Sequence, residues 1–289
     1  MGSRMSDSPR HPRTTNWAVG LLHGPSLGQL APIDGVPNPI VCEHDLGDCS
    51  GVMAADPFAI QVDGEWFLFF EMVTRRSPDA VIAAAASRDL RTWRQLGVVL
   101  DTGHHLSYPF VFEHDGDIFM MPESKRAGAV TIHRAVEFPH RWQPVRTILR
   151  GKYADASMVR HEGRYWLFAG WRSYAMRVFH AEHPLGPWRP HAWPWIHLHA
   201  PSRARPGGRP IVIDGKLIRF GQDNVARYGH QLRAWHVTTL SPRWYAERPL
   251  MADPILAPGG DGWNARCMHH IDPHRLPDGS LIAFVDGCP

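Results

Sequence analysis

Residues 55–71 read ADPFAIQVDGEWFLFFE, and the same plan returns four more times along the chain. The copies are YPFVFEHDGDIFMMPES (108–124), DASMVRHEGRYWLFAGW (155–171), GGRPIVIDGKLIRFGQD (207–223) and HHIDPHRLPDGSLIAFVDG (269–287). Each has a short apolar run, an acidic-Gly pair, then a second apolar or aromatic run. Glycine tolerates the positive φ of a tight turn, so Asp-Gly between two such runs predicts a β-hairpin. The turns fall at Asp63-Gly64, Asp115-Gly116, Glu162-Gly163, Asp214-Gly215 and Asp278-Gly279.

Working outward, each of the first four hairpins is followed by a further strand: VIAAAAS, VTIHRAV, MRVFHAE and QLRAWHV. A turn and a tryptophan follow (Trp93, Trp142, Trp188, Trp244), then a closing strand such as QLGVVLD. Four strands in a repeat of about 50 residues predict the blades of a propeller. The fifth hairpin ends the chain and lacks outer strands. The segment Trp17–Leu22 can supply one, which pairs the two ends of the chain and removes exposed sheet edges. The expectation is all-β: one five-bladed β-propeller over residues 16–289, closed by pairing the N-terminal strand with the C-terminal blade, with residues 16 to about 50 completing blade 5. Residues 1–15 read as a disordered, tag-like lead.

Composition narrows the function. The 289 residues carry 31 Lys and Arg against 28 Asp and Glu, a formal charge of +3. Basic residues form only short clusters, such as Arg203 to Arg209, so a nucleic-acid surface is not expected. No apolar run reaches the roughly 20 residues of a membrane span, and the start lacks the apolar stretch of a signal peptide, so a cytoplasmic location is the default. The spacing of Cys42, Cys49, Cys267 and Cys288 fits no zinc pattern; free thiols are expected, with a Cys42–Cys49 bridge as the weaker option.

The topology places a site. In each blade the first strand lines the axis and the second returns antiparallel, so the start of one and the end of the other share a rim. Those positions hold Asp56 and Glu71, Tyr108 and Glu123, Asp155 and Trp171, Arg209 with Gln222 and Asp223, and His269, His270 and Asp272 with Asp286. Carboxylates there suit acid/base chemistry on a glycosidic bond. Asp56 would be the base, and Asp155 or Glu123 the acid, its pKa raised by burial. Arg209 and His270 would orient substrate, and Trp171 would stack on a sugar face. Glu71, Tyr108, Gln222, Asp223 and Asp286 complete the expected substrate pocket. No cofactor is required. An axial calcium or other ion held by His270 and Asp272 is left open.

ADPFAIQVDGEWFLFFE and SRDLRTW (87–93) resemble the five-bladed propeller glycosidases, the arabinanase/xylosidase clan. That resemblance implies Asp56 as base. The clan's blade-2 Asp is replaced by Tyr108 here, and its blade-3 Glu by Asp155. A resemblance running through nearly the whole chain from Trp17 is to the N-terminal domain of the plant glucosamine inositolphosphorylceramide transferases, carried by YPFVFEHDGDIFMMPES, FGQDNVARYG (220–229) and WNARCMHHIDPHRLPDG (263–279). Bacterial domains similar to it sit beside sugar-modifying domains such as a formyltransferase, which implies a separate transferase partner. The expected function is a carbohydrate-active enzyme acting on a glycoside or activated sugar. The alternatives are a stand-alone cyclase, lyase or isomerase of specialised metabolism, and a non-catalytic sugar-binding module.

Overall fold

The computed structural model describes residues 16–49, 51–75, 77–171 and 174–289; the expected lead, 1–15, lies outside them. They form five four-stranded antiparallel sheets. Blade 1 is Gly51–Val62, Glu65–Thr74, Ser77–Ser87 and Arg94–Leu100. Blade 2 is Ser107–His114, Asp117–Glu123, Ala129–Glu137 and Arg141–Arg150. Blade 3 is Ala154–His161, Arg164–Trp171, Ala175–Ala181 and Arg189–Pro190. Blade 4 is Ile211–Ile213, Lys216–Asp223, Gln231–Leu240 and Tyr245–Pro249.

Blade 5 joins the two ends of the chain. Ile271–Arg275 and Leu281–Gly287 are followed outward by Ala18–Gly24 and Ala31–Pro32. The register runs from Ala18 opposite Gly287 to Gly24 opposite Leu281. The expected closure is therefore the observed one, with one difference. The last full strand ends at Pro32, and the chain then meets the blade again at Asn38, Ile40 and Val41, which bond to Leu21 and Val19. Beyond them the chain crosses to blade 1, where Leu46 packs with Met72 and Phe70, because an apolar side chain there gains more from the inter-blade core than from extending an edge.

Both faces of the inner strands are buried against neighbouring blades, which is why their runs are almost continuously apolar. One core cluster joins blades 1 and 2 through Phe58, Phe69, Phe110 and Trp142, and reaches blade 3 at Leu167 and Phe179. Another joins blades 4 and 5 through Phe220, Leu232, Ile271 and Val285.

The turns match the sequence. Asp63-Gly64, Asp115-Gly116, Glu162-Gly163 and Asp214-Gly215 all have positive φ at both positions, 49–51° and 74–80°, the type I′ geometry that follows strand twist. The fifth differs. At Leu-Pro-Asp-Gly-Ser only Gly279 has positive φ (88°), and Gly279 N–H donates to Leu276 O (2.9 Å). Proline fixes the first turn position, so a type I turn ending on a left-handed glycine replaces I′.

Gly208 is the tightest point of the ring. Its φ is +138°, and a Cβ there would sit 1.7 Å from Ile271 O. Gly208→Ala should cost roughly 3–4 kcal/mol, strain and overpacking together, or abolish folding. Gly64→Ala, whose Cβ would point into open space, should cost only about 1 kcal/mol. Urea unfolding of both variants measures the contrast; equal losses would mean Gly208 is not the pinch point.

Candidate functional site

Three inner strands begin with the same irregularity. The ladder skips between Ala55 and Phe58, between Ser107 and Phe110, and between Ala154 and Ser157. Inside each skip one non-glycine residue has positive φ: Asp56 (52°), Tyr108 (49°) and Asp155 (49°). Such bulges re-aim a side chain, and strain of this kind gathers at functional sites. Gly208 of blade 4 and His270 of blade 5 come to the same place in space: Gly208 N–H meets the Tyr108 hydroxyl, and His270 packs beside Tyr108 and Asp56. These five positions meet around the axis.

Tyr108 closes the axis. It is fully buried, and its ring packs edge-on to His270 (5.1 Å) and Phe58 (4.8 Å). Gly208 N–H donates to its hydroxyl (2.6 Å), which also lies 2.6 Å from Ser157 Oγ. The sequence expectation made Tyr108 a substrate contact. The structure instead makes it the floor, its polar atom already occupied across three blades.

Asp155 is gripped from above. Arg205 holds it in a bidentate ion pair, with Nη2 3.2 Å from Oδ1, and Gln222 Nε2 donates to Oδ2 (2.7 Å). Arg205 Nη2 also lies 4.0 Å from Glu123, and its guanidinium stacks 5.2 Å above Tyr228. Glu123 in turn accepts the Asp155 N–H (2.9 Å). Glu71 stands beside His105, whose Nε2 is 3.5 Å away. His105 Nδ1 accepts the Ala80 N–H, which leaves the imidazole proton on the nitrogen facing Glu71.

On the other side Asp286 is a node. Its Oδ1 accepts the N–H groups of His269 and His270 (both 3.1 Å), its Oδ2 accepts the Asp56 N–H (3.1 Å), and His269 Nδ1 lies 2.8 Å from it. His269 stacks on Trp17 (4.3 Å) and brings Nε2 to 3.8 Å from Asp56. His270 Nδ1 is 3.7 Å from Asp56 on the axial side, and neither of its ring nitrogens has a hydrogen-bond partner among the described residues. Both histidines thus converge on Asp56, although only His270 was expected to reach the axis. The bulge breaks the simple alternation of a strand and lets neighbours share a target.

Other expected residues lie elsewhere. Arg209 belongs to the far side of Phe58 and Phe110. There its Nε donates to Asp272 (2.5 Å) and Nη2 to Ala59 O (3.3 Å), and its charge stacks on Phe110 at 4.7 Å. It follows Gly208 by one residue, and the buried Asp272 carboxylate draws it away from the rim. Asp223 accepts from Arg233 Nε and Gln231 Nε2 (both 2.8 Å) and lines a separate cleft of about 530 Å³ with Ser202, Ala226 and His230. Trp171 is half-buried against Tyr153 and Trp195, at the edge of the site. Arg205, Tyr228, His105 and Trp17 were not named as site residues. Most come from loops and the chain start, which carry no strand periodicity. The one signal for Tyr228 was its place inside the distinctive stretch FGQDNVARYG.

The charges divide sharply. Burial pushes Asp56 up to about 7, with His269 restraining it. Burial and then the neighbouring carboxylates push Glu71 and Glu123 well above the usual range. Burial would raise Asp155 too, but Arg205 overrides it and holds Asp155 low. Burial would lower His269, but Asp286 overrides it and lifts the imidazole to about 9. Burial, against the pull of Asp286 and Asp272, drives His270 down to about 4. The site therefore holds two ion pairs, Asp155–Arg205 and Asp286–His269, two glutamic acids pushed toward the protonated form, and one aspartate raised to about 7.

Potential metal ligands cluster at Asp56, His269 and Asp286. A protonated His269 is no ligand, and the Asp286 oxygens are spent on N–H donors, a poor match to the six to eight oxygens calcium takes. Asp272 is likewise spent, on Arg209, on His274 Nε2 (2.8 Å) and on Ala59 N–H (2.6 Å). A second trio, His114, Asp115 and His183, lies near the hairpin turns. There Leu185 N–H donates to His183 Nδ1 (3.1 Å), which puts the ring proton on Nε2, aimed at His114 Nε2 3.0 Å away. That is a hydrogen bond between imidazoles rather than a metal cradle. Cys42, Cys267 and Cys288 are free thiols.

The five-bladed propeller fold is one found in solved glycoside hydrolases. The fold is similar to the catalytic domain of the Coprinopsis cinerea GH62 α-L-arabinofuranosidase, with a TM-score of 0.60 at 14% identity over 95% of this chain and 98% of that one. It is also similar to the Bacteroides ovatus Xyloglucan PUL GH43B protein, with a TM-score of 0.63 at 18% identity over 86% of this chain and 49% of that one. Residues 10–288 match the family described as glucosamine inositolphosphorylceramide transferase 1, N-terminal, and the chain belongs to that family. It is 34% identical over 297 residues to glucosamine inositolphosphorylceramide transferase 1 of Arabidopsis thaliana and 32% identical over 296 residues to that of Oryza sativa subsp. japonica. Each match covers 94% of this chain; the chain spans 39% and 40% of those proteins.

The elevated pKa values of Asp56 and His269 imply a stability profile. Both groups bind a proton more tightly folded than unfolded. The Asp56 contribution is lost as pH rises from about 4 through about 7, and that of His269 as pH rises through about 9. Unfolding free energy should fall between pH 6 and pH 9 by on the order of 2–4 kcal/mol. Asp56→Asn should make the fall shallower. A profile as steep in the variant as in the parent would remove Asp56 from this account.

Proposed function

We propose that this domain acts on a sugar-containing substrate at the carboxylate end of its axis, by general acid/base chemistry. The observation that carries the reading is the unequal company of two adjacent acids. The Arg205 ion pair holds Asp155 below the usual range, while burial and then Asp155 push Glu123, whose carboxyl accepts the Asp155 N–H, well above it. Position alone offered either residue as the acid; the ion pair favours Glu123. Asp56, poised near 7, serves as the base.

In this scheme Glu123 gives its proton to the oxygen leaving the anomeric carbon. Asp56 removes a proton from the attacking hydroxyl, which is water in a hydrolase and a sugar or polyol hydroxyl in a transferase. The relatives are named transferases, which favours an acceptor hydroxyl and a transferase unit working beside this domain. Asp155 with Arg205, and Asp286 with His269, hold the surrounding field fixed and supply charged hydrogen-bond partners for substrate hydroxyls. Trp17 and Tyr228 wall the site beside them.

Nitrophenyl glycosides, assayed with water and with added polyol acceptors, test the proposal. Asp56→Asn should lower kcat by about 10²–10⁴ while the fold and ligand affinity persist. Glu123→Gln should fall less on substrates with good leaving groups, which need little protonation. Ligand binding with no turnover in the parent protein under either condition would leave a sugar-binding module and overturn the catalytic reading.

A further inference from the structure

The four repeat-equivalent tryptophans do not behave alike. Trp142 is buried, and its Nε1 donates to Pro139 O (2.8 Å). Trp188 is half-buried and donates to Pro184 O (3.1 Å). Trp93 is half-buried with its ring edge-on to Phe284. Trp244 is turned outward and is 64% exposed. Its neighbour Tyr245 is the residue packed inward, with its hydroxyl 2.6 Å from Glu247 and accepting from Arg219 Nε (3.0 Å).

Trp244 has a companion. Trp193, 40% exposed, lies in the segment after the short outer strand of blade 3, with its ring centroid 6.0 Å from that of Trp244 and at 83° to it. The backbone fixes the pair: Ala192 N–H donates to Pro242 O (2.9 Å), and Trp193 N–H donates to His191 Nδ1 (2.9 Å). An exposed indole pair held by main-chain bonds is an unusual expense of apolar surface on a soluble face.

The neighbourhood is cationic. Arg189, Lys216, Arg243 and Arg248 are exposed, and none is in an ion pair among the described residues. The acids nearby are engaged: Glu182 with Arg164 (2.8 Å), Asp214 with Arg275 (3.6 Å), and Glu247, buried, with Arg219 (2.5 Å). Two histidines register the same field. Burial and then Arg248 and Lys216 pull His236 down, and burial and then Arg164, Arg189 and His191 pull His180 down.

We propose that the Trp193–Trp244 corner is a docking surface for an anionic lipid bilayer. Indoles settle at the headgroup level, and unpaired arginines and lysines are drawn to anionic lipid. A perpendicular ring pair is not the coplanar platform on which a sugar chain stacks. The corner lies at the end of blade 4 shared with the Asp214-Gly215 turn, whereas Gln222 and Asp223 mark the opposite, carboxylate end. A docked domain therefore keeps its site open to water. No helix among the described residues is long and apolar enough to cross a membrane, so the contact is superficial and reversible.

Sedimentation of the full chain with vesicles tests this. Vesicles of phosphatidylcholine alone are compared with phosphatidylcholine containing one quarter phosphatidylglycerol, at 0.05 and 0.5 M salt. Binding to the anionic vesicles should exceed binding to the neutral ones at least tenfold and should collapse at high salt. The double variant Trp193→Ser/Trp244→Ser, and separately Arg243→Glu/Arg248→Glu, should each lose fivefold or more while circular dichroism stays unchanged. Absence of binding to anionic vesicles, or full binding by the tryptophan variant, overturns the proposal. So does a corner whose tryptophans are needed for an acidic protein or polysaccharide and not for vesicles.

Discussion

The carboxylate of Asp286 ties the ring together and sets up the site at once. It sits in the strand that pairs with the N-terminal strand, and it accepts N–H groups from Asp56 in blade 1 and from His269 and His270 in its own blade. The bulge at Asp56 takes that N–H out of the ladder, and a buried unpaired donor would cost about 1–3 kcal/mol. Glu123 repeats the device across the next-but-one boundary by accepting the Asp155 N–H. In each case an acid at the end of one blade's second strand caps the bulge that begins the following blade. The residues that hold neighbouring blades in register are thus among those that charge the pocket, and neither role can change without the other.

This dual use explains why the carboxylates differ. A buried acid whose strongest neighbours are other carboxylates is held well above the usual range, as Glu71 is. A buried acid given a cation is held below it, as Asp155 is beside Arg205. The five residues around the axis each have different company. Tyr108 became a floor, Gly208 a passage for the neighbouring backbone, and His270 a neutral imidazole packed among rings.

The architecture was legible because hairpin turns and strand runs are local. Asp-Gly pairs, apolar alternation and spacing are enough to count blades, and the unmatched fifth hairpin is enough to demand closure by the other end. The rim positions followed from topology, and Asp56, Glu71, Glu123, Asp155, Gln222 and Asp286 lie together at one end. Arg209 was misjudged because one residue of difference at a glycine pair reverses which side of the ring a side chain serves. Arg205 and Tyr228 escaped notice because loop residues reach a site by routes that no periodicity records. The opposing pKa shifts of Glu123 and Asp155 depend on a guanidinium 50 residues away from Asp155, and no local pattern encodes that.

The four I′ turns have a bearing on how such a protein can diversify. A side chain added at Gly64, Gly116, Gly163 or Gly215 would meet nothing within 4 Å. They stand at the opposite end from the acids, and no hydrogen bond to the pocket passes through them. New segments grafted there would find free solvent and leave the chemistry untouched. The propeller thus separates a conservative hub from a permissive periphery, where new addresses or partners can be acquired without renegotiating the reaction.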